Sequence, residues 1–267
     1  MKPEDRIIVA LDVSTHREAL SIVEDLQDLV SFYKVGLELL MSGGMDELLR
    51  ALVQKHNVFV DLKLPSDIPE TVSRVVGLAA DLGVKLITLS NSATRGSIVA
   101  ALAGRGGRVD PKLLYVSSLS SLDRTDFAQQ YGRPEADFES FLKQQTASAK
   151  ASGVDGFIVS GQEIRLLRTS YPEALIVSPG IRPVGASKDD HKRTCTPAEA
   201  IALGADYIVV GRPIRNAPDR RAATQRIIDE LTAVDAPPVP SNGDGTAALG
   251  ASGRGASPPA GGQNTLS

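Results

Sequence analysis

Ile7-Ile8-Val9-Ala10-Leu11-Asp12-Val13-Ser14-Thr15 is the stretch on which the fold turns. Its first five residues are apolar and mostly β-branched, which suits a strand buried on both faces. An acid ends the run. Thr15 is then placed to cap a helix, and Glu18 stands three residues on, the spacing of a capping box. No glycine occurs in the turn between. A doubly wound open sheet, the competing architecture, often has a glycine-rich first turn and about five to seven strands.

The same unit recurs outward from this stretch. Further apolar runs lie at 32–36, 58–62, 86–89, 113–116, 156–159, 174–177 and 207–210, making eight in all. Helical spacing of apolar residues fills the intervals at 15–30, 45–55, 68–82, 95–103, 135–152, 161–170, 197–203 and 218–233. Gly83, Gly153 and Gly204 stand where helices should exit. Strand and helix alternating eight times over roughly 235 residues is the pattern of an α/β protein of the (β/α)8 TIM-barrel type.

Composition sets the boundaries. The chain has 267 residues, 42% hydrophobic and 23% charged, enough to bury a core. Residues 237–267 hold 7 of its 24 glycines and 5 of its 16 prolines, with Asp244 and Arg254 as the only charges. Such a segment cannot offset its ordering entropy. One barrel domain over 1–235 and a disordered tail over 236–267 are therefore expected. The net charge of −3, without a basic stripe, gives no nucleic-acid surface. Cys195 is the single cysteine, which excludes an intrachain disulfide and a cysteine zinc site and suits a reducing cytoplasm. The first apolar run is too short for a signal peptide, and none approaches the ~18 residues of a membrane span.

Barrel enzymes place their chemistry at the C-terminal ends of strands. Here those ends carry Asp12, Lys34, Asp61 with Lys63, Ser117 to Ser121, Ser160, Ser178 to Pro183, and Gly211-Arg212-Pro213. Asp61 and Lys63 are two apart and should share a side of their strand. With Lys34 and Asp67 they form a cluster of alternating sign. A structural salt-bridge network is the plain alternative, but four charges converging on one rim must be paired or used. Gly180 and Gly211 would let backbone N–H groups approach an anion, with Arg182 or Arg212 supplying bidentate bonds. Together they suggest a phosphate site after strands seven and eight. Gly104-Arg105-Gly106-Gly107 follows a helix rather than a strand and reads as a linker. His16, His56 and His191 lack metal-ligand spacing, and Cys195 reads as structural.

At these positions the sequence resembles the orotidine 5'-phosphate decarboxylases. The resemblance rests on Phe59-Val60-Asp61-Leu62-Lys63-Leu64 followed by Asp67-Ile68-Pro69-Glu70-Thr71-Val72. Val9 to Val13, Tyr33 to Gly36, Gly156 to Ser160, Pro179 to Pro183, Asp190 to Arg193, Thr196-Pro197 and Val210 to Ile214 complete it in order. It implies decarboxylation of orotidine 5'-phosphate to uridine 5'-phosphate without metal or cofactor, in pyrimidine synthesis. Lys63 would stabilise the carbanion and then protonate it, and Asp61 would face the substrate carboxylate. Lys34 and Asp12 would hold ribose hydroxyls, and Ser121 would contact the pyrimidine. Arg212 and the 182–193 loop, with Arg182 and His191, would grip the phosphate. Thr71, Pro179 and Gly211 join the expected substrate contacts, and Asp67 would reach into the neighbouring site of a homodimer.

Three departures stand out. The family spacing is Asp-x-Lys-x-x-Asp, whereas one extra residue lies between Lys63 and Asp67 here. His191 stands where the family commonly has Gln, and Ser90 where relatives often have His. Two other functions fit the pattern. One is a related phosphate-binding-barrel decarboxylase or aldolase of the 3-keto-L-gulonate 6-phosphate decarboxylase kind, which uses magnesium and has Glu at the position of Lys34. The other is a catalytically silent barrel that binds nucleotides.

Overall fold

In the computed structural model the described residues are 1–65, 68–117, 119, 121, 123–161, 163–184 and 194–235. Eight strands close into a barrel in sequence order. They are β1 (Ile7–Ala10), β2 (Phe32–Gly36), β3 (Asn57–Leu64), β4 (Leu86–Leu89), β5 (Lys112–Val116), β6 (Gly156–Ile158), β7 (Leu175–Ser178) and β8 (Tyr207–Val210). Every neighbouring pair is parallel, and β1 closes the ring against β8. The (β/α)8 expectation holds.

Eleven helices occur among the described residues. They are α1 (His16–Leu26), α2 (Leu37–Met41), α3 (Met45–Val53), α4 (Pro69–Leu82), α5 (Arg95–Arg105), α6 (Arg124–Tyr131), α7 (Phe138–Ala151), α8 (Glu163–Ser170), α9 (Pro197–Leu203), α10 (Arg212–Arg215) and α11 (Arg220–Asp235). Thr15 caps α1 by accepting the Glu18 N–H. Among the described residues the full reciprocal box forms instead at Asp123/Asp126 and Thr196/Glu199. The short helices α2, α6 and α10 carry no amphipathic repeat long enough to read, and α6 buries only Phe127. No helix among the described residues is long and apolar enough to cross a membrane.

Strand alternation divides the apolar side chains into two cores. Ile7, Val9, Tyr33, Val58, Val60 and Ile87 point outward to the helices with much of the larger core. Ile8, Ala10, Phe32, Phe59, Leu86 and Val209 belong to the smaller core that fills the barrel. Continuing each inward row by two residues reaches Asp12, Lys34, Asp61, Thr88 and Gly211. The barrel is thus plugged by apolar groups below and opens into polar ones at its C-terminal rim.

The opposite rim is held by two matching brackets. Asp155, just before β6, accepts the Leu113 N–H at 2.8 Å and pairs with Arg105 at 2.7 Å. Asp206, just before β8, accepts the Ile176 N–H at 2.8 Å and pairs with Arg168 at 2.6 Å. Arg168 also donates to the carbonyls of Pro172, Ala174 and Gly204. Each carboxylate joins adjacent strands to a helix, with its charge compensated.

Helices α4 and α5 approach closely because Gly104 has no side chain: a Cβ there would lie 2.0 Å from the Ser73 carbonyl oxygen. Gly104→Ala is expected to lower stability by about 3 kcal/mol through overpacking. Gly96→Ala on the same helix meets only Thr94 Oγ1, at 3.8 Å, and should be neutral or stabilising by up to about 1 kcal/mol. Urea unfolding midpoints of the two variants check the contrast.

Candidate active site

A cavity of about 510 Å³ opens at the C-terminal rim. Phe59, Val116, Leu119, Ile158 and Val209 supply its apolar surface. Asp12, Lys34, Asp61 and Lys63 line it from β1, β2 and β3, while Pro179, Gly180, Arg182, Gly211 and Arg212 line it from the ends of β7 and β8. The two groups inferred from the sequence, a charged cluster and an anion site, therefore share one cavity.

The cluster is a linear chain of alternating charge. Lys34 Nζ lies 2.7 Å from Asp12 Oδ1 and 3.5 Å from Asp61 Oδ2. Lys63 Nζ lies 3.0 Å from both Asp61 oxygens. The side chains of Lys34 and Asp61 are 9% and 15% exposed, whereas those of Lys63 and Asp12 are 37% and 44% exposed. The inner pair is thus shielded, and Lys63 presents its ammonium to the cavity. Burial by itself would raise the Asp61 carboxyl, but Lys34 and Lys63, aided by the Thr88 hydroxyl, hold it below the ordinary range. Burial would likewise lower Lys34, but Asp61 and Asp12 outweigh it and hold the ammonium above its ordinary value. Gly36 leaves room for this pairing: a Cβ there would come within 3.3 Å of Lys34 Nζ and 3.4 Å of Asp12 Oδ1.

Asp61 and Lys63 meet, but not through simple strand alternation. The β3–β4 register shifts between Val60 and Leu64, and Lys63 has φ 49, the only positive φ of a non-glycine among the described residues. This left-handed conformation is costly for a lysine and marks a locally constrained backbone. Thr88 stands against the irregularity. It is fully buried, accepts the Lys63 N–H at 2.8 Å and donates to Asp61 Oδ1 at 2.9 Å. Sequence reasoning passed over it. Its signal was a hydroxyl in the otherwise apolar run Leu86-Ile87-Thr88-Leu89, on the inward parity. Glu38 and Arg215 also line the cavity and were not anticipated.

Not every expected contact meets here. Thr71 occupies the first turn of α4, and Ser121 is exposed; neither lines this chain's cavity. Asp67 and His191 lie outside the described residues. Cys195 is buried, with burial pushing its thiol pKa up, and it bridges to Ile181 while its carbonyl accepts the Arg182 N–H at 2.9 Å. That is a structural role beside Arg182, which lines the cavity. Among the described residues no group of three or more His, Cys, Asp or Glu is gathered to hold a metal.

Comparison with known proteins agrees with this geometry. The family model described as orotidine 5'-phosphate decarboxylase / HUMPS family matches residues 5–227. A protein of Ruegeria pomeroyi named orotidine 5'-phosphate decarboxylase is 42% identical over 241 residues, 88% of this chain and 98% of that one. One of Rhodopseudomonas palustris with the same name is 43% identical over 231 residues, 86% and 94% of the two chains. The crystal structure of orotidine 5'-phosphate decarboxylase from Lactobacillus acidophilus superposes with a TM-score of 0.71 at 33% identity, covering 85% of this chain and 99% of that one. Together with the charged chain on β1 to β3, these matches identify the protein as a member of the orotidine 5'-phosphate decarboxylase / HUMPS family.

Proposed function

We propose that this chain is the carboxy-lyase that converts orotidine 5'-phosphate to uridine 5'-phosphate and CO2 in pyrimidine biosynthesis. The observation that carries this reading is the Lys63 ammonium, bound to both Asp61 oxygens at 3.0 Å and facing the cavity. Arg182 and Arg212, with the backbone around Gly180 and Gly211, hold the substrate phosphate by charge-assisted bonds. His191, in the same phosphate-gripping stretch, donates an imidazole N–H. Asp12 and Lys34 hold the ribose hydroxyls, and Pro179 flanks the pyrimidine.

The base is thereby placed with C6 toward Lys63. The bond from C6 to the carboxylate carbon breaks, its electron pair stays on C6, and CO2 departs. No conjugated sink receives that pair, so a preorganised cation is the stabiliser. The Lys63 ammonium then donates a proton to C6, giving uridine 5'-phosphate and a neutral amine that regains a proton from water. Lysine suits both tasks, since arginine would hold its proton too tightly. Phosphate binding at the far wall supplies interaction energy that orients the reacting end.

Lys34 bears on the magnesium-dependent alternative. A divalent ion between Asp12 and Asp61 would meet the Lys34 ammonium already seated there at 2.7 and 3.5 Å. The silent-barrel alternative leaves unexplained why Lys63 is kept at φ 49 with its ammonium toward the cavity.

Exposed apolar side chains support a homodimer with shared sites. Leu37, Leu40 and Met41 on α2, and Ile68 before α4, are exposed on segments that follow adjacent strands at the active-site rim. A second copy seated there brings Thr71 toward its neighbour's cavity. In this reading residues 1–235 form the catalytic unit, residues 236–267 are dispensable, and the protein works in the cytoplasm.

Three measurements test these proposals. Wild-type protein with orotidine 5'-phosphate should show the absorbance change of decarboxylation, unaffected by chelator, and Lys63→Ala should lower kcat at least about 10³-fold. An inert wild type or a magnesium requirement overturns the assignment. A chain truncated after Asp235 should keep its turnover and sediment as a dimer; an inactive or monomeric product counts against the catalytic unit or the shared site.

The third measurement is pH-dependent stability. Asp61 has a depressed folded pKa, so its contribution is present above the unfolded value of about 3.9 and is lost as pH falls through the lower folded value. Lys34 has a raised folded pKa, so its contribution is complete below about 10.4 and is lost as pH rises through the higher folded value. Unfolding midpoints should therefore hold between these limits. Asp61→Asn should be roughly 3 kcal/mol less stable at pH 7, because two ammonium groups lose their shared partner. It should also lose less stability than wild type on further acidification.

A further inference from the structure

We infer that Thr88 is a positioning residue for the reaction, whose hydroxyl fixes the left-handed backbone of Lys63 and the rotation of the Asp61 carboxylate in one step. This rests on the decarboxylase reading for its kinetic consequences, but not for its structural ones.

In a parallel pair each strand N–H normally finds a carbonyl on its neighbour. Between β3 and β4 the ladder runs through Phe59↔Leu86 and Val60↔Ile87, then resumes only at Leu64↔Leu89. Four steps along β3 thus match two along β4. Past the irregularity, the Ser90 N–H donates to the Leu64 carbonyl at 2.9 Å. Within it, the Lys63 N–H is satisfied by the Thr88 side chain, at 2.8 Å. The hydroxyl takes the place of a carbonyl that the shifted register no longer offers.

The same oxygen carries a proton, and that proton goes to Asp61 Oδ1 at 2.9 Å. Because the ionised Asp61 carboxylate can only accept and the Lys63 N–H can only donate, the hydroxyl serves as acceptor toward one and donor toward the other. Asp61 is thereby held with both oxygens 3.0 Å from Lys63 Nζ. One hydroxyl therefore controls both ends of Lys63: its main chain directly, and its ammonium through the carboxylate. Thr88 is fully buried, so water cannot replace it without opening the core.

A methyl group in place of the hydroxyl keeps the shape and removes both bonds. The Lys63 N–H is then buried without a partner, and the left-handed conformation loses its restraint. The phosphate site on β7 and β8 is untouched. Loss should therefore fall on kcat rather than on KM.

Thr88→Val is expected to lower kcat about 10²-fold with KM within about threefold of wild type. Thr88→Ala, which also lacks the hydroxyl but adds no apolar bulk, should behave alike and serves if the valine variant does not fold. Thr88→Ser should restore kcat to within about threefold. A crystal structure of a hydroxyl-less variant should show Lys63 out of the left-handed region and its ammonium released from one Asp61 oxygen. Unchanged kcat without the hydroxyl, a serine variant as impaired as valine, or Lys63 keeping its φ and both contacts each overturns the inference. A wild type inert toward orotidine 5'-phosphate defeats the proposed function instead, and the crystallographic comparison still decides the role of Thr88.

Discussion

A carboxylate shared by two ammonium groups at the mouth of a barrel constrains much of what surrounds it. Asp61 and Lys34 are nearly withdrawn from water. Burying either alone would be prohibitive, and burying them together is tolerable only with geometry that leaves no charge uncompensated. The chain Asp12, Lys34, Asp61, Lys63 meets that condition with zero net charge. Three adjacent parallel strands bring its members together: Lys34 is paired with Ala10 and Phe59, two residues before Asp12 and Asp61, its ammonium reaches both carboxylates, and Gly36 keeps the space between them clear. The apolar rows beneath exclude water from below, which strengthens each pairing in turn.

The two rims of the barrel use the same groups toward different ends. At the lower rim Asp155 and Asp206 each combine an arginine with a strand N–H, tying strands to helices. At the upper rim Asp61 combines lysines with a threonine hydroxyl, and one lysine faces a cavity. The difference lies in what the cation is free to do. Arg168 is spent on carbonyls and a carboxylate, and arginine cannot give up its proton near neutral pH. Lys63 retains an accessible face toward the cavity. The fold generally permits stability and chemistry to be separated along the barrel axis in this way.

Much of this was legible in the chain. Continuous β-branched runs at even spacing give a fully buried parallel strand little alternative, so β2, β4 and β8 match their expected limits. The capped, amphipathic helices were equally readable. Helices α2, α6 and α10 were not, because they are short and are held by the rim and loops they join rather than by a repeating apolar face. In the site, position at strand ends brought Asp12, Lys34, Asp61, Lys63, Arg182 and Arg212 to attention. Thr88 escaped because threonine is an ordinary strand former, and its importance depends on a register shift between two strands. Pairing between strands leaves no local trace in either one. Thr71 came from resemblance alone and Ser121 from its place after strand five together with the resemblance, and a single chain's cavity gathers neither.

The bridge between Ile181 and Cys195 bears on how such a barrel can vary over time. The main chain leaves the wall after one of these residues and returns at the other, where the Arg182 N–H also meets the Cys195 carbonyl. The two ends of the intervening stretch are therefore tied to each other by main-chain pairing, whatever the number of residues between them. Closing a longer span between fixed ends adds only about 0.6 kcal/mol per doubling. A change in chain length between residues 183 and 194 therefore costs the barrel strands little.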